Sequence, residues 1–361
     1  MNHLAGLLTG EIAAKGPLSV DRYMELALGH PDFGYYQSDD PFGAGGDFIT
    51  APEISQIFGE LIGIWCAVVW RDMGAPERIN LVELGPGRGT LMADALRALG
   101  VTPEFKEAIA LHLVETGKGL RRRQKETLGH AHPDIAPQWH ERIESLPQGP
   151  AIFIANEFFD ALPIRQFQKT PEGWRERLIG VTDNGGFCFV LSPPLAAPPP
   201  VAEELWDADA EAVAEVSPAS LNIARAIGER MAEFGGAALI IDYGHEKSGL
   251  GDTLQAVKNH GFADPLADPG GVDLTAHVDF AALSRAATLA GAKAWGPVGQ
   301  GIFLNRLGIE TRAAALLENA TADQAEEIQG AVARLTAADQ MGTLFKALAV
   351  IPAGGATPPG F

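Results

Sequence analysis

Cysteine is scarce in this sequence. The 361 residues contain only Cys66 and Cys188, which stand far apart in unrelated contexts. This excludes a disulfide framework and C-x-x-C metal spacing, and it fits a reducing compartment. Four histidines between residues 112 and 140 also lack metal-ligand spacing with cysteines or carboxylates. The sequence therefore predicts no metal site.

Basic residues are also few. There are 27 of them against 46 acidic residues, which gives a formal charge of −19. Phosphate backbones and anionic membrane surfaces are repelled by the average field of such a chain. The balance predicts no nucleic-acid partner and favours a cationic one.

No long apolar run is present. The longest, "LIGIWCAVVW" at residues 61–70, is about half the length that a membrane-spanning helix needs. The first residues have neither the apolar core of a secretory signal nor the Arg-rich, acid-poor character of a transit peptide. The sequence thus predicts a cytoplasmic protein that is not inserted into a membrane.

Short apolar runs alternate with helical patterns from residue 79 onward. Continuous apolar runs of this kind are typical of buried parallel strands, and strands separated by helices indicate a doubly wound α/β sheet. The predicted strands lie at residues 79–84, 109–115, 150–156 and 237–244.

The remaining patterns predict additions to this sheet. Residues 1–75 should form a helical cap with a Gly-rich loop, before a main domain over residues 76–361. An insertion at about 164–235 contains Pro-Glu-Gly and Asn-Gly-Gly turns and predicts an antiparallel meander, followed by a Pro-rich connector and helices. Residues 245–277 should be mainly loop. A disordered tail is expected from about residue 352.

A glycine-rich turn follows the first predicted strand, in "VELGPGRGT" at residues 82–90. Gly85, Gly87 and Gly89 allow a sharp bend and a close approach to a ligand. The dinucleotide fingerprint would need glycine where Thr90 stands, and no G-x-x-x-x-G-K-[ST] loop occurs. NAD and ATP are therefore disfavoured.

The pattern Glu-x-Gly-x-Gly-x-Gly resembles motif I of the class I S-adenosylmethionine-dependent methyltransferases. In that family the glycine loop packs under the amino-acid part of the cofactor, and a carboxylate after the second strand accepts hydrogen bonds from both ribose hydroxyls. A carboxylate suits this task because it is an acceptor only, whereas a diol offers two donors. The resemblance implies cofactor contacts at Glu83, Gly85, Pro86, Gly87, Gly89, Glu115 and Asn156.

Further blocks extend the resemblance over most of the chain. They are similar to the MidA-type methyltransferases, a family related to the mitochondrial complex I assembly methyltransferase. The resemblance implies a Rossmann-like class I methyltransferase with a cap, and a protein substrate methylated on arginine, possible targets including a respiratory-complex subunit. The blocks are "GDFITAPEISQIFGE", "VELGPGRGTLMADAL", "LVETGKGLRRRQKETL", "NEFFDALPI", "IDYG", "DLTAHVDF" and "GQGIFLNRLGI".

The segment "NEFFDALP" follows a buried strand and places polar side chains where a doubly wound sheet binds its ligands. Glu157 and Asp160 could clamp a guanidinium and accept its proton, so we interpret them as catalytic. Two alternatives stay open. Asn156 and Asp160 could cap a helix, or "NEFF" could act as the Asn-Pro-Pro-aromatic motif of amide and ring-nitrogen methyltransferases does. Packing is the favoured role of both phenylalanines.

Two further segments supply candidates for a lid or substrate site. "GAGGDFITAPEIS" could close over the cofactor through Asp47, Thr50, Pro52 and Glu53, or simply begin a helix. His277 could take up a proton, or be structural. Gln300 lies in a turn that approaches the pocket, or in an ordinary hairpin.

The hypothesis from sequence is an S-adenosylmethionine-dependent N-methyltransferase that acts on arginine of a partner protein. Two alternatives remain: a non-catalytic assembly factor that binds the cofactor, and a small-molecule N-methyltransferase.

Overall fold

The computed structural model describes residues 2–37, 50–258 and 261–361. The chain forms two compact units, each assembled from three separate segments. The first unit comprises Met1–Phe48, Phe159–Asn222 and His245–Ala282. The second comprises Ile49–Phe158, Ile223–Gly244 and Leu283–Phe361.

Helices occur in both units. Some begin at sequence signals such as the capping box of Thr321 and Gln324, or a proline in the first turn. Their bounds are α1 His3–Lys15, α2 Val20–Gly29, α3 Ala51–Ile54, α4 Gln56–Asp72, α5 Thr90–Ala98, α6 Pro103–Ala108, α7 Lys118–Ala131, α8 Pro218–Phe234, α9 Phe280–Leu289, α10 Gln300–Leu307, α11 Ile309–Leu317, α12 Ala322–Thr336 and α13 Met341–Leu344. Short 3-10 turns lie at Tyr35–Gln37, Leu99–Val101, Ile143–Ser145 and Glu203–Leu205.

The strands of the described residues form three sheets. Their bounds are β1 Leu18–Ser19, β2 Ile79–Leu84, β3 Ile109–Val114, β4 Gln138–His140, β5 Ala151–Asn156, β6 Arg165–Thr170, β7 Gly173–Val181, β8 Phe187–Leu191, β9 Val213–Val216, β10 Gly236–His245, β11 Gln255–Lys258, β12 Gly261–Ala263, β13 Asp273–Thr275, β14 Val278–Asp279, β15 Ala292–Gly299 and β16 Phe345–Pro352.

The second unit is built on a sheet with the strand order β15-β16-β10-β5-β2-β3-β4. β10, β5, β2, β3 and β4 pair in parallel, and β16 is antiparallel to both its neighbours. Every residue of β5 is buried, as a central parallel strand requires. The expected α/β, doubly wound fold is confirmed, with an antiparallel strand added near one edge.

The core of the second unit includes α4. Its side chains Phe58 and Trp65 are almost fully buried, in one cluster with residues of the sheet. Gly63 lies so close to α5 that an added Cβ would meet the carbonyl oxygen of Ala95 at 2.4 Å. The sequence places residues 56–72 in a cap that ends at residue 75, but the structure assigns this helix to the second unit, where it packs on α5.

The first unit contains the expected meander. Its strand order is β1-β7-β6-β9, and β8 also pairs with β7. A three-stranded sheet, β12-β11-β13, belongs to the same unit. Leu8, Tyr23 and Met24 from the N-terminal helices share a core with Ile179 and Leu274. The N-terminal helices therefore complete the core of the meander unit.

Several elements differ from the sequence-based expectations. β9 lies in the segment expected to contain only connector and helices, and β11 to β13 lie in the expected loop. The insertion ends before α8 has finished, since residues 223–234 belong to the second unit. The expected disordered tail instead makes contacts: the Phe361 ring is 5.4 Å from that of Phe303, and Trp65 Nε1 donates to the Pro359 carbonyl oxygen at 3.1 Å.

No helix within the described ranges combines the length and the apolar character needed to cross a membrane.

Candidate active site

The strand order of the second unit creates a topological switch point. The chain runs from β2 outward to β3 and β4, and then returns to β5 on the other side of β2. Leu84 pairs with Val114 on one side and with Ala155 on the other, so the three strands end at one level. Ligands of doubly wound sheets bind in the crevice at such a point.

The glycine loop follows β2 at this edge. Gly85, Gly87 and Gly89 have φ values of 61°, 51° and 83°, in the left-handed region that favours glycine. A Cβ on Gly85 would lie 2.8 Å from Cδ2 of Phe158. The Phe158 ring thus packs directly on the loop, which is consistent with the packing role favoured from sequence.

Glu83 is a buried carboxylate just before this loop. The residue is 3% exposed, and among the described residues its Oε2 atom has no hydrogen-bond partner. Burial raises the pKa of Glu83 to about 8. The site therefore contains a buried acceptor that a cationic donor could satisfy.

Glu115 follows β3 and is also buried. Its Oε1 accepts from the Gly117 N–H at 2.7 Å, and its Oε2 accepts from Gln124 Nε2 at 3.2 Å. Burial raises the pKa of Glu115, and hydrogen bonds from Gly117, Gln124 and the Thr116 backbone offset part of the rise. A carboxylate has about four acceptor positions, so these donors do not use all of its capacity to bind a ligand.

Glu157 follows β5, across the switch point from the glycine loop. Its φ is 49°, which is rare for a long side chain and is often found at functional sites. The Glu157 N–H donates to the Ile241 carbonyl at 2.9 Å, and Oε1 accepts from the Ala51 N–H at 2.8 Å and from Asn156 Nδ2 at 3.2 Å. One hydrogen bond thus holds the Glu157 backbone, and two hold Oε1 of its carboxylate.

The short helix α3 is tied to the glycine loop. Glu53 Oε1 accepts from Thr90 Oγ1 at 2.6 Å, and Glu53 Oε2 lies 3.9 Å from Arg88 Nη1. Thr50 occupies the N-cap position of α3 without a capping hydrogen bond from its side chain, and the buried Pro52 lies in the first turn. The alternative that this segment begins a helix is therefore correct for its backbone, while its side chains also contact the loop.

The structure also describes three of the remaining candidates. Asp160 and His277 belong to the first unit, where the Asp160 carbonyl accepts from the Ala276 N–H at 3.0 Å and the His277 N–H donates to Thr253 Oγ1 at 2.9 Å.

Gln300 is the first residue of α10 rather than part of a loop or hairpin. It is fully buried and donates to the Leu335 carbonyl at 2.9 Å. Asp47 lies outside the described residues.

Two residues at this edge were not predicted from the sequence. Asp242 near the end of β10 is fully buried, and its carboxylate accepts from the N–H groups of Phe158 and Tyr243 at 3.2 and 2.9 Å. Gln124 is fully buried on α7 between Leu120 and Leu128. The signal for Gln124 was present, since a polar residue stands on the apolar stripe of an amphipathic helix.

The donors and acceptors suit S-adenosylmethionine. Glu83 Oε2 and Asn156 Oδ1 are buried acceptors that have no partner among the described residues, and the cofactor carries an ammonium group. The two acceptor oxygens of Glu115 match the two donors of a ribose diol. Over the same residues, no group of three or more metal-ligating side chains occurs.

Comparisons with known proteins agree with this geometry. A family model of S-adenosyl-L-methionine-dependent methyltransferases matches residues 61–298. The "protein arginine methyltransferase NDUFAF7 homolog, mitochondrial" of Drosophila melanogaster is 40% identical over 97% of this chain and 85% of its own length. The human protein arginine methyltransferase NDUFAF7 is 38% identical over 95% of this chain and 82% of its own.

A solved structure is similar over almost the whole chain. It is a protein from Burkholderia thailandensis bound to S-adenosyl-homocysteine, with 33% identity and a TM-score of 0.87. The match covers 99% of this chain and 93% of that one.

The expected cytoplasmic location is wrong by these comparisons, because the relatives are named as mitochondrial. Compartment is encoded by targeting information that the composition of a folded domain does not contain. The family match, the identity to these relatives and the shared fold lead to one conclusion: this chain belongs to the family of S-adenosyl-L-methionine-dependent methyltransferases.

Proposed function

We propose that this methyltransferase transfers the methyl group to a guanidinium nitrogen of arginine on a partner protein. The names of the relatives, which are protein arginine methyltransferases, support this substrate. The formal charge of −19 also favours a cationic target. The partner that we propose is a subunit of a respiratory complex, as the resemblance to the MidA-type family implies.

The observation that carries the proposal is the conformation of Glu157. The strained backbone and the hydrogen bonds from Ala51 and Asn156 hold a carboxylate at the end of β5, the strand that pairs with β2. Strain of this kind persists only where the surrounding structure enforces it, and it clusters at active sites. A fixed carboxylate suits a guanidinium, because its two oxygens match the forked N–H donors.

Glu157 would orient the guanidinium and take its proton. S-adenosylmethionine supplies an electrophilic methyl group when it is bound. The new bond joins the target nitrogen to the methyl carbon while the carbon–sulfur bond breaks and its electron pair goes to sulfur. The nitrogen then loses one proton, which Glu157 accepts. This proton transfer matters because a free guanidinium remains protonated near neutral pH.

We also propose roles for the other candidates. Glu83 and Asn156 would hold the amino-acid end of the cofactor against the loop of Gly85, Pro86, Gly87 and Gly89, and Glu115 would hold the ribose. Thr50, Pro52 and Glu53 would form a lid over that loop, anchored at Thr90. Asp160, Asp47 and His277 stay sequence-based candidates for the substrate site.

Replacement of Glu157 by Gln tests the proposal. We expect methyl transfer to arginine-containing protein to fall by about 100-fold or more, because the proton acceptor is lost. The dissociation constant for S-adenosylhomocysteine should change by less than about threefold, since Glu157 is not assigned to the cofactor. Methyl-labelled cofactor followed on protein gels and by mass spectrometry gives the first quantity, and calorimetry gives the second.

The matched control is Glu104→Gln on the exposed surface of α6, which should leave both quantities unchanged. Unchanged turnover in Glu157→Gln would contradict the catalytic role. Label that appears only in metabolites would contradict the protein substrate and support the small-molecule alternative.

A further inference from the structure

Gln124 is the polar residue on the buried face of α7. It stands four residues after Leu120 and four before Leu128, both of which are buried. Its own side chain is fully buried. Such a position normally takes an apolar residue, because a buried amide is costly unless its hydrogen bonds are made.

The amide of Gln124 joins two separate parts of the cofactor site. Nε2 donates to the Gly87 carbonyl oxygen at 2.8 Å and to Glu115 Oε2 at 3.2 Å. The first partner lies in the glycine loop after β2, and the second follows β3. The two N–H groups of one amide therefore connect the loop to the acidic residue.

Trp139 on β4 fixes the orientation of that amide. Its indole Nε1 donates to Gln124 Oε1 at 2.9 Å. An indole N–H is a donor only, so it must face the oxygen end of the amide. The NH₂ end is then directed to Gly87 and Glu115, and rotation of the amide by a half turn would place two donors against each other.

We propose that Gln124 is a positioning residue that directs the Glu115 carboxylate toward the ribose diol of the cofactor. Gly117 donates to Oε1 and Gln124 donates to Oε2, and the Thr116 backbone is a further donor to the carboxylate. Held in this orientation, the two acceptor oxygens match the two donor hydroxyls of the diol. This inference rests on the cofactor class and not on the arginine substrate, so it stands or falls separately from the role of Glu157.

Replacement of Gln124 by Met keeps the length of the side chain and removes both donors. We expect the dissociation constant for S-adenosylhomocysteine to rise about tenfold or more, since a hydrogen bond to a charged group is lost. The matched control is Lys125→Met, which makes the same replacement at the neighbouring exposed position of α7 and should change affinity less than about twofold.

A comparison of ligands separates positioning from a general structural role. Calorimetry is done with S-adenosylhomocysteine and with its 2′-deoxy and 3′-deoxy analogues, on the wild-type chain and on Gln124→Met. In the wild type, loss of a hydroxyl should weaken binding about tenfold. In the variant the same loss should cost less than about threefold, because the carboxylate is no longer aimed at the diol.

An equal penalty for the deoxy analogues in both proteins would overturn the proposal, as would a wild type that does not distinguish them. Trp139→Phe is the second variant, for the case in which Gln124→Met fails to fold. It keeps Gln124 and most of the ring volume while it frees the amide to rotate. We expect it to weaken S-adenosylhomocysteine binding about three- to tenfold and to reduce the deoxy penalty; wild-type values for both would contradict the proposal.

Discussion

Individual side chains at the switch point combine burial with unusual protonation. Glu83 shows this most clearly, since burial raises its pKa from 4.5 to about 8. A neutral carboxyl is the stable form of the cofactor-free protein near neutral pH. Binding of an ammonium group beside it would favour the ionised form instead.

The pH dependence of stability follows from Glu83. Between its unfolded pKa and its folded pKa the folded chain holds a proton that the unfolded chain has lost, so the free energy of unfolding falls as pH rises toward about 8. Glu83→Gln removes this contribution. Between about pH 5 and about pH 9, the free energy of unfolding of the variant should rise relative to that of the wild type by on the order of a few kcal/mol.

Urea denaturation of the cofactor-free proteins measures this difference. Glu104→Gln, at an exposed position, should keep the wild-type dependence. Parallel pH profiles for the wild type and Glu83→Gln would show that Glu83 does not hold the proton.

At the scale of elements, α4 and α5 illustrate how small residues set a helix contact. Besides Gly63, Gly59 also lies against α5, where an added Cβ would meet the Cβ atom of Asp94 at 2.6 Å. Both glycines lie within a helix that an alanine would favour intrinsically. The close approach therefore outweighs helix propensity.

Gly63→Ala should destabilise the protein by about 2 kcal/mol, because the new methyl group overlaps backbone atoms that cannot move alone. Gly129→Ala on α7 is the matched control. Nothing lies within 4 Å of its added Cβ, so it should stabilise by about 0.5–1 kcal/mol. Denaturant midpoints measure both, and two changes of the same sign would contradict the packing argument.

At the scale of the molecule, the chain forms two units from interleaved segments, and each has a large hydrophobic core. Each unit takes three stretches of sequence, so neither corresponds to a continuous domain. Tyr23 from α2 is fully buried in the first core, and its hydroxyl donates to the Pro265 carbonyl at 2.8 Å. Phe105 has the equivalent burial in the second core.

Tyr23→Ala should lower hydrogen-exchange protection in β6, β7 and β11, because the free energy of local opening there falls by about 3–5 kcal/mol. The strands β2 and β3 should stay protected. Phe105→Ala is the reciprocal variant and should reverse the pattern. Mass spectrometry of exchanged peptides resolves the two regions. Equal loss in both would show one cooperative core instead of two.

The sequence by itself determined the central strands and the positions of the groups that follow them. Continuous apolar runs predicted β2, β3, β5 and β10, and their polar ends identified Glu83, Glu115 and Glu157. These features are local: burial on both faces requires an unbroken apolar strand, and a tight turn requires glycine. For this reason the fold class and the family could be inferred before the structure.

Only the tertiary structure decided which distant residues meet. The contact of the Ala51 N–H with Glu157 and the contacts of Gln124 join residues that lie far apart in the sequence. The same holds for β9 and the three-stranded sheet, whose short strands depend on their partners. Pairing and side-chain contacts between distant segments depend on how the whole chain packs, so no local pattern of residues specifies them.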